Sequence, residues 1–349
     1  MYDLIAQHPA VWVVVDGQDI FLVRNLPEGG MSIYPCSLDG ILGQELALQH
    51  REYIWPINFF QGLWLAYYDE DTPLGNMLNI FSRDGELLQT ISGEGYYYTL
   101  ALNEGRQIYF VNRRRLLSYD LSTNTYRDLN PPQLKSPSYY MGSHRSLHFF
   151  TCEGKSQLVA MRDKDGQGLE EVYRLDFAES DRCKPSYSRS VEPGQVYFIN
   201  FYGSDLWVST YERVYRIDIA TGQKLGTLED EFLPKMSHHG EIGYAIYAGF
   251  YTVMDFENRR LLSCRLLDKF THEGKEYSAE YTGLLLHEGI FYVSVRVSGI
   301  FFLAAFDVQT EEFVWHDLWD GWDIKSVHIV GDRMIAHSHD EVRIYQRAD

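Results

Sequence analysis

Residues 196–229 read VYFINFYGSDLWVSTYERVYRIDIATGQKLGTLE, four short strands separated by three turns. The first apolar run, Val196–Phe201, stops at Tyr202-Gly203-Ser204-Asp205. Leu206–Thr210 and Val214–Ile219 follow, and Ala220-Thr221-Gly222 turns the chain into Gln223–Leu228. β-Branched and aromatic residues fill the runs, while Gly, Ser, Thr and Asp fill the gaps. That is the chemistry of strands joined by tight turns.

The same unit recurs outward in both directions. A Gly precedes an aromatic strand at Gly17 (Phe21), Gly62 (Trp64), Gly105 (Tyr109), Gly203 (Trp207), Gly249 (Tyr251), Gly289 (Phe291) and Gly331 (Met334), with a displaced copy at Gly142 before Phe149. Most steps are about 40 to 46 residues, the period of four-stranded propeller blades. A single small sheet leaves both faces uncovered, and stacking successive sheets buries them. Helical periodicity is nearly absent, which argues against alternating strands and helices. The expected fold is all-β: one propeller domain spanning 1–349, built of four-stranded antiparallel blades, eight in number with seven as the alternative. The last copy supplies only three strands, so a strand near Tyr2–Ala6 is expected to complete the C-terminal blade and close the ring.

Third strands end in a signature: Asp218-Ile-Ala-Thr221-Gly222, Asp120-Leu-Ser-Thr123-Asn124 and Asp307-Val-Gln-Thr310-Glu311, the last preceded by Ala305 and followed by Trp315. The Asp accepts backbone hydrogen bonds within the turn, and Gly or Asn supplies the left-handed residue. The A-x-D-x-x-T-G-x-x-x-W pattern resembles that of the eight-bladed propellers similar to quinoprotein alcohol dehydrogenases. In that superfamily the Trp docks between blades. Glu311 stands where the pattern has Gly, and Gly226 where it has Trp, so the resemblance implies a shared scaffold and carries over no cofactor.

The chain has 49 Asp and Glu against 31 Lys and Arg, a formal charge of −18. Such a field repels nucleic acid and anionic membrane and attracts a basic partner. The tip Arg113-Arg114-Arg115 reads as a solvated hairpin rather than a nucleic-acid site. Cys36, Cys152, Cys183 and Cys264 form no C-x-x-C pair, the N-terminus has no basic leader, and no run of about 18 apolar residues occurs. The location these imply is cytoplasmic.

Departures from the repeat point to function. The long interruptions are Asp69–Asn76, Leu129–Ser143, Asp176–Gly194, Glu229–Gly243 and Asp268–Glu280. The first four are expected on one face and the fifth on the other, and loops on a rigid scaffold are where binding concentrates. Their aromatic and acidic residues, with a His pair, make a candidate partner-binding set: Tyr139, Tyr140, Tyr187, Phe232, Glu229, Asp230, Glu231, His238 and His239. Tyr anchors are favoured at protein interfaces, although the same residues also serve to pin loops onto a rim. The function these features suggest is non-catalytic capture of another protein, with an immunity or antitoxin-type protein neutralising a basic toxin as the concrete form. The rival is an enzyme or small-ligand binder (sugar, metal or quinone) using the central channel.

Candidate chemistry is sparse. His337-Ser-His339 puts two imidazoles on one strand face, with His328 on the preceding strand and His316-Asp317 nearby, a weak metal pattern lacking a spaced third ligand. Ser237-His238-His239 lacks a positioned acid. Trp315-His-Asp-Leu-Trp319-Asp-Gly-Trp322-Asp323 offers either an aromatic, acidic subsite or inter-blade packing, and packing is the simpler reading. No nucleophile elbow, zinc-helix, phosphate-loop or dinucleotide fingerprint is present.

Overall fold

A computed structural model describes residues 2–27, 30–46, 48, 54–60, 62–68, 77–92, 102–104, 107–111, 116–120, 122–128, 139–152, 156–163, 169–177, 194–211, 213–229, 231–319 and 321–348. Among these there is no helix. The chain opens with β1 (Tyr2–Pro9), then the meander β2 (Trp12–Asp16), β3 (Asp19–Asn25) and β4 (Met31–Cys36). Four-stranded sheets follow: β5 (Ile54–Phe60), β6 (Leu63–Tyr68), β7 (Met77–Ser82), β8 (Leu87–Ser92); then β9 (Leu102–Glu104), β10 (Gln107–Val111), β11 (Leu116–Asp120), β12 (Thr125–Asp128). Next come β13 (Tyr139–His144), β14 (Leu147–Cys152), β15 (Gln157–Asp163), β16 (Leu169–Asp176), and β17 (Phe198–Tyr202), β18 (Asp205–Ser209), β19 (Arg213–Asp218), β20 (Lys224–Glu229). The sheet β21 (Ser237–His239), β22 (Ile242–Tyr247), β23 (Phe250–Asp255), β24 (Arg260–Leu266) leads to a hairpin, β25 (Lys269–His272) and β26 (Lys275–Ser278). The chain ends with β27 (Glu280–His287), β28 (Ile290–Val297), β29 (Ile300–Asp307), β30 (Glu312–Trp319), and β31 (Ser326–Val330), β32 (Arg333–His337), β33 (Glu341–Arg347).

The fold class is the β-propeller, with strands paired antiparallel, in sequence order in every described sheet but the last. The described residues form seven four-stranded sheets, not the eight expected. The copy at Gly17 makes only the three-stranded sheet β2-β3-β4, because the strand before it is used elsewhere. That strand, β1, pairs antiparallel with β33, Tyr2 opposite Arg347 and Pro9 opposite Glu341, and completes the last sheet in the order β1-β33-β32-β31. The expected completion of the C-terminal blade by an N-terminal strand is therefore observed.

The chain packs as two compact units, Met1–Thr90 with Met236–Asp349, and Ile91–Lys235. In the second unit, the sheets β13–β16 and β17–β20 share a core containing Phe149, Leu158, Ile199, Leu206 and Ile217. In the first unit, Ile20 and Leu22 of β3 meet Ile335 of β32 and Ile344 of β33. Tyr292 and Leu303 meet Met334 and Tyr345. In β3, Ile20 and Leu22 thus cover one neighbour while Phe21 and Val23 cover the other, against Phe59 and Trp64, which is why this inner strand reads as a continuous apolar run.

Local chemistry sets the repeat. Ala248-Gly249 (φ 48° and 80°), Glu288-Gly289 (48° and 78°) and Ser298-Gly299 (50° and 87°) are two-residue hairpin loops with both residues left-handed. That geometry matches strand twist and favours Gly, second in these loops and first at Gly17, Gly203 and Gly331 (φ 61°, 59° and 60°), which accounts for these members of the Gly series. At the third-strand ends, Asp218 Oδ1 accepts from the Thr221 amide (2.8 Å) and hydroxyl (2.7 Å), and Gly222 has φ 74°. Asp120 and Asp307 accept from the amides of Ser122 (2.8 Å) and Gln309 (2.7 Å), with Asn124 and Glu311 left-handed. Asp255, accepting from the Asn258 amide at 2.8 Å ahead of left-handed Arg259, is a further copy that its sequence conceals. A bulge follows each of three such turns, at Arg216/Ile217, Val253/Met254 and Ala305/Phe306. It places Gly226 opposite Arg216 and Trp315 opposite Ala305 at the same register position.

Trp315 packs edge-on against Tyr2 and Tyr345 of the neighbouring sheet, both ring centroids 5.6 Å away. Replacing it with Ala is expected to cost about 3 kcal/mol, read as a lower midpoint in chemical denaturation. Deleting residues 1–8 removes β1 and leaves β33 as an open, apolar edge. Thermal unfolding of that truncated chain is expected roughly 10 °C lower, and an unchanged melt would contradict the role given to this pairing.

Candidate functional site

A cavity of about 660 Å³ lies within the first unit, where the first and last sheets meet. Its walls come from one end of both sheets: Trp12 and Val13 start β2, Met31 starts β4, and His337 ends β32. His328 in β31 and His339 beyond β32 complete the imidazole side, with Lys325 and Asn25 at its margin. The backbone positions these groups. Ala10 donates to the Asp340 carbonyl (3.0 Å), Val11 to the Val23 carbonyl (2.9 Å) and Lys325 to the His337 carbonyl (2.7 Å). The segment between β1 and β2 is thereby tied to both sheets.

His337 is buried, and its Nε2–H donates to the Val11 carbonyl at 2.9 Å. A carbonyl only accepts, so the proton sits on Nε2 and Nδ1 keeps its lone pair. Burial lowers the basicity of His337, partly opposed by that hydrogen bond, and His328, His339 and Lys325 lower it further. Burial also lowers His328. Both imidazoles are neutral at neutral pH. His328 has no hydrogen-bond partner among the described residues. Two aromatic rings flank the imidazoles: Trp12, 6.2 Å from His337, and Trp322, edge-on to His339 at 5.6 Å.

The structure separates the other residues singled out in the sequence. His337 and His339 do not share a strand face, because β32 ends at His337 and His339 lies in the following bend. His316 and Asp317 point apart, as neighbouring strand residues must. His316 Nε2 hydrogen-bonds His272 Nδ1 (2.9 Å), while Asp317 accepts from Arg343 (2.9 Å) and the Tyr345 hydroxyl (2.8 Å). Among the described residues, no three His, Cys, Asp or Glu side chains converge to hold a metal ion. Trp319 is buried beneath the Arg343 guanidinium (4.4 Å) and donates to the Tyr345 hydroxyl (3.0 Å), whereas Trp322 is 58% exposed. Of the three Trp, two pack between sheets and one faces solvent.

The partner-binding candidates fall in both units. Tyr139 lies in β13 opposite Thr151, and Tyr140 packs edge-on to Phe150 (5.3 Å). Glu229 pairs with Arg213 (2.6 Å). Glu231 and Phe232 lie in the segment after β20, with the Phe232 ring against Tyr197 (6.0 Å) and Phe198 (5.8 Å). Leu233 and Pro234 pin that segment through Ser209 Oγ (3.1 Å) and Asn200 Nδ2 (2.9 Å). His238 and His239 are exposed on β21. Tyr187, Asp230, Arg113–Arg115, Cys183 and the stretch 69–76 lie outside the described residues. Cys36, Cys152 and Cys264 are free thiols. Residues 268–280, expected on the opposite side from the other insertions, instead join the last strand of one sheet to the first of the next. The hairpin β25–β26 fills the gap, and the extra strand pair had displaced the sequence register.

One surface feature escaped the sequence reading. Tyr247, Phe250 and Leu266 are cross-strand neighbours on one sheet face, 47%, 47% and 54% exposed. Their signal was hidden because Tyr-Ala-Gly-Phe reads as an ordinary hairpin.

The chain is thus a β-propeller by fold, and its candidate sites are a histidine-lined cavity and an exposed aromatic hairpin. No family model and no curated protein matches the sequence. Solved structures do. The computationally designed protein Ika8 is 11% identical, with 98% of each chain covered and a TM-score of 0.65. BamB from Moraxella catarrhalis is 10% identical over 99% of this chain and 100% of that one, with a TM-score of 0.63. The Dos1 propeller is 12% identical over 99% of this chain and 95% of that one, with a TM-score of 0.58. At such identities the likeness establishes the fold alone.

The imidazoles carry a pH dependence. An unfolded His titrates near 6.5, and the folded His328 and His337 titrate lower. As pH falls below about 6.5 the unfolded chain binds more protons than the folded one, so stability is lost toward acid. Thermal melts at pH 7.5 and 5.5 are expected to show this loss, and His328→Gln is expected to make it smaller.

Proposed function

We propose that this chain is a non-catalytic, protein-binding propeller that captures a basic partner. The observation that carries the reading is the net charge of −18 on a repeated scaffold. A field of this sign accelerates encounter with a cationic surface and makes association salt-dependent. The exposed Tyr247, Phe250 and Leu266 supply the desolvatable centre that charge alone lacks. The loop residues around Phe232 are a second candidate contact. A cytoplasmic protein of the immunity or antitoxin type, occluding a basic toxin, is the concrete form of this reading. Its kinship with quinoprotein-like propellers rests on the Asp-x-x-Thr turns and extends to scaffold rather than cofactor. No helix among the described residues is long and apolar enough to cross a membrane.

Capture on the immobilised chain from source lysate, at low and high salt, tests this. The expected result is a basic protein retained at low salt, released at high salt, and retained about tenfold less by Tyr247→Ser/Phe250→Ser. Recovery of no protein at either salt would overturn the reading.

A further inference from the structure

The cavity at the junction of the first and last sheets has a chemistry of its own, independent of partner capture. Its volume of about 660 Å³ falls in the range of about 300–1,000 Å³ usual for small-molecule pockets. Among the described residues no carboxylate lines it, so a cation finds no counter-charge there. Lys325 lines it, but its ammonium is engaged by Asp323 Oδ2 at 2.8 Å. The imidazoles of half-buried His328 and buried His337 are neutral, so an anion finds little either. What the walls offer is apolar and aromatic surface from Trp12, Val13 and Met31, and hydrogen-bond capacity on imidazole nitrogen. His337 has its proton fixed on Nε2 by the Val11 carbonyl, which leaves Nδ1 an acceptor. His328 makes no hydrogen bond to any described residue, and a neutral imidazole always retains one acceptor nitrogen.

We propose that this cavity binds a neutral, planar aromatic small molecule that donates an N–H or O–H hydrogen bond to His328. The aromatic plane gains contact with Trp12 and Met31, and the donor satisfies a polar group that has no partner among the described residues. Trp322, exposed and edge-on to His339, stands beside the imidazole wall.

Calorimetric titration of the full chain at pH 7.5 with indole and with 1-methylindole tests this, since the two probes differ chiefly in the N–H. Indole is expected to bind about five- to tenfold more tightly than its methylated form, the value of one hydrogen bond to a half-buried acceptor. In His328→Leu, which keeps the apolar volume and removes the acceptor, the two probes are expected to bind alike. No indole binding at millimolar concentration, equal binding of the two probes to the unaltered chain, or a preference that persists in His328→Leu would each overturn the proposal. The comparison on the unaltered chain stands even if the variant fails to fold.

Discussion

The pairing of β1 with β33 is the constraint on which the first unit depends. It binds the N-terminal eight-residue strand to the C-terminal strand in one sheet. Without it the last sheet has three strands and an open edge, and backbone donors and acceptors there have no partner. The pairing also fixes where the chain goes next. Ala10 and Val11, leaving β1, hydrogen-bond Asp340 on one side and Val23 on the other, so the first meander is drawn against the last sheet. Ile20 and Leu22 then meet Ile335 and Ile344, and the apolar contact holds what the hydrogen bonds orient.

The cavity is a by-product of the same arrangement. Where β2, β4, β31 and β32 begin or end, space is left between Trp12, Met31 and the imidazoles. His337 serves both purposes, holding the Val11 carbonyl as a structural bond and presenting a ring to the cavity. On the opposite face of the last sheet, Arg343, Asp317, Tyr345 and Trp319 form a satisfied polar cluster against β30. Such a cluster adds specificity of docking because each member's position depends on the others. The proposed capture of a macromolecule through exposed aromatics and the proposed occupancy of the cavity call on separate surfaces of one scaffold, as one fold can host several functions.

Much of this was legible because tight turns have strict chemistry. The Gly series follows from left-handed hairpin positions, and the Asp-x-x-Thr turns follow from an Asp that caps its own loop. Even Gly226 and Trp315 fall at one register position despite their difference in size. The count of complete blades was not legible in the same way. A strand's sequence shows that it pairs and not with which neighbour, so assigning β1 to the far end of the chain costs the first copy its fourth strand. The hairpin β25–β26 misled for a related reason, since two extra short strands look like a register shift.

The sequence by itself determined the secondary structure, the propeller class and the acidic field, because these rest on local patterning and composition. Only the tertiary structure decided which histidines share a cavity, which tryptophans are buried, and where aromatic rings stay exposed. His328, His337 and His339 are brought to one cavity by the meeting of two sheets, while His316, close in sequence, is turned toward His272 instead. Strand alternation fixes two faces. Which face meets a neighbour, a cavity or solvent depends on contacts between residues hundreds of positions apart.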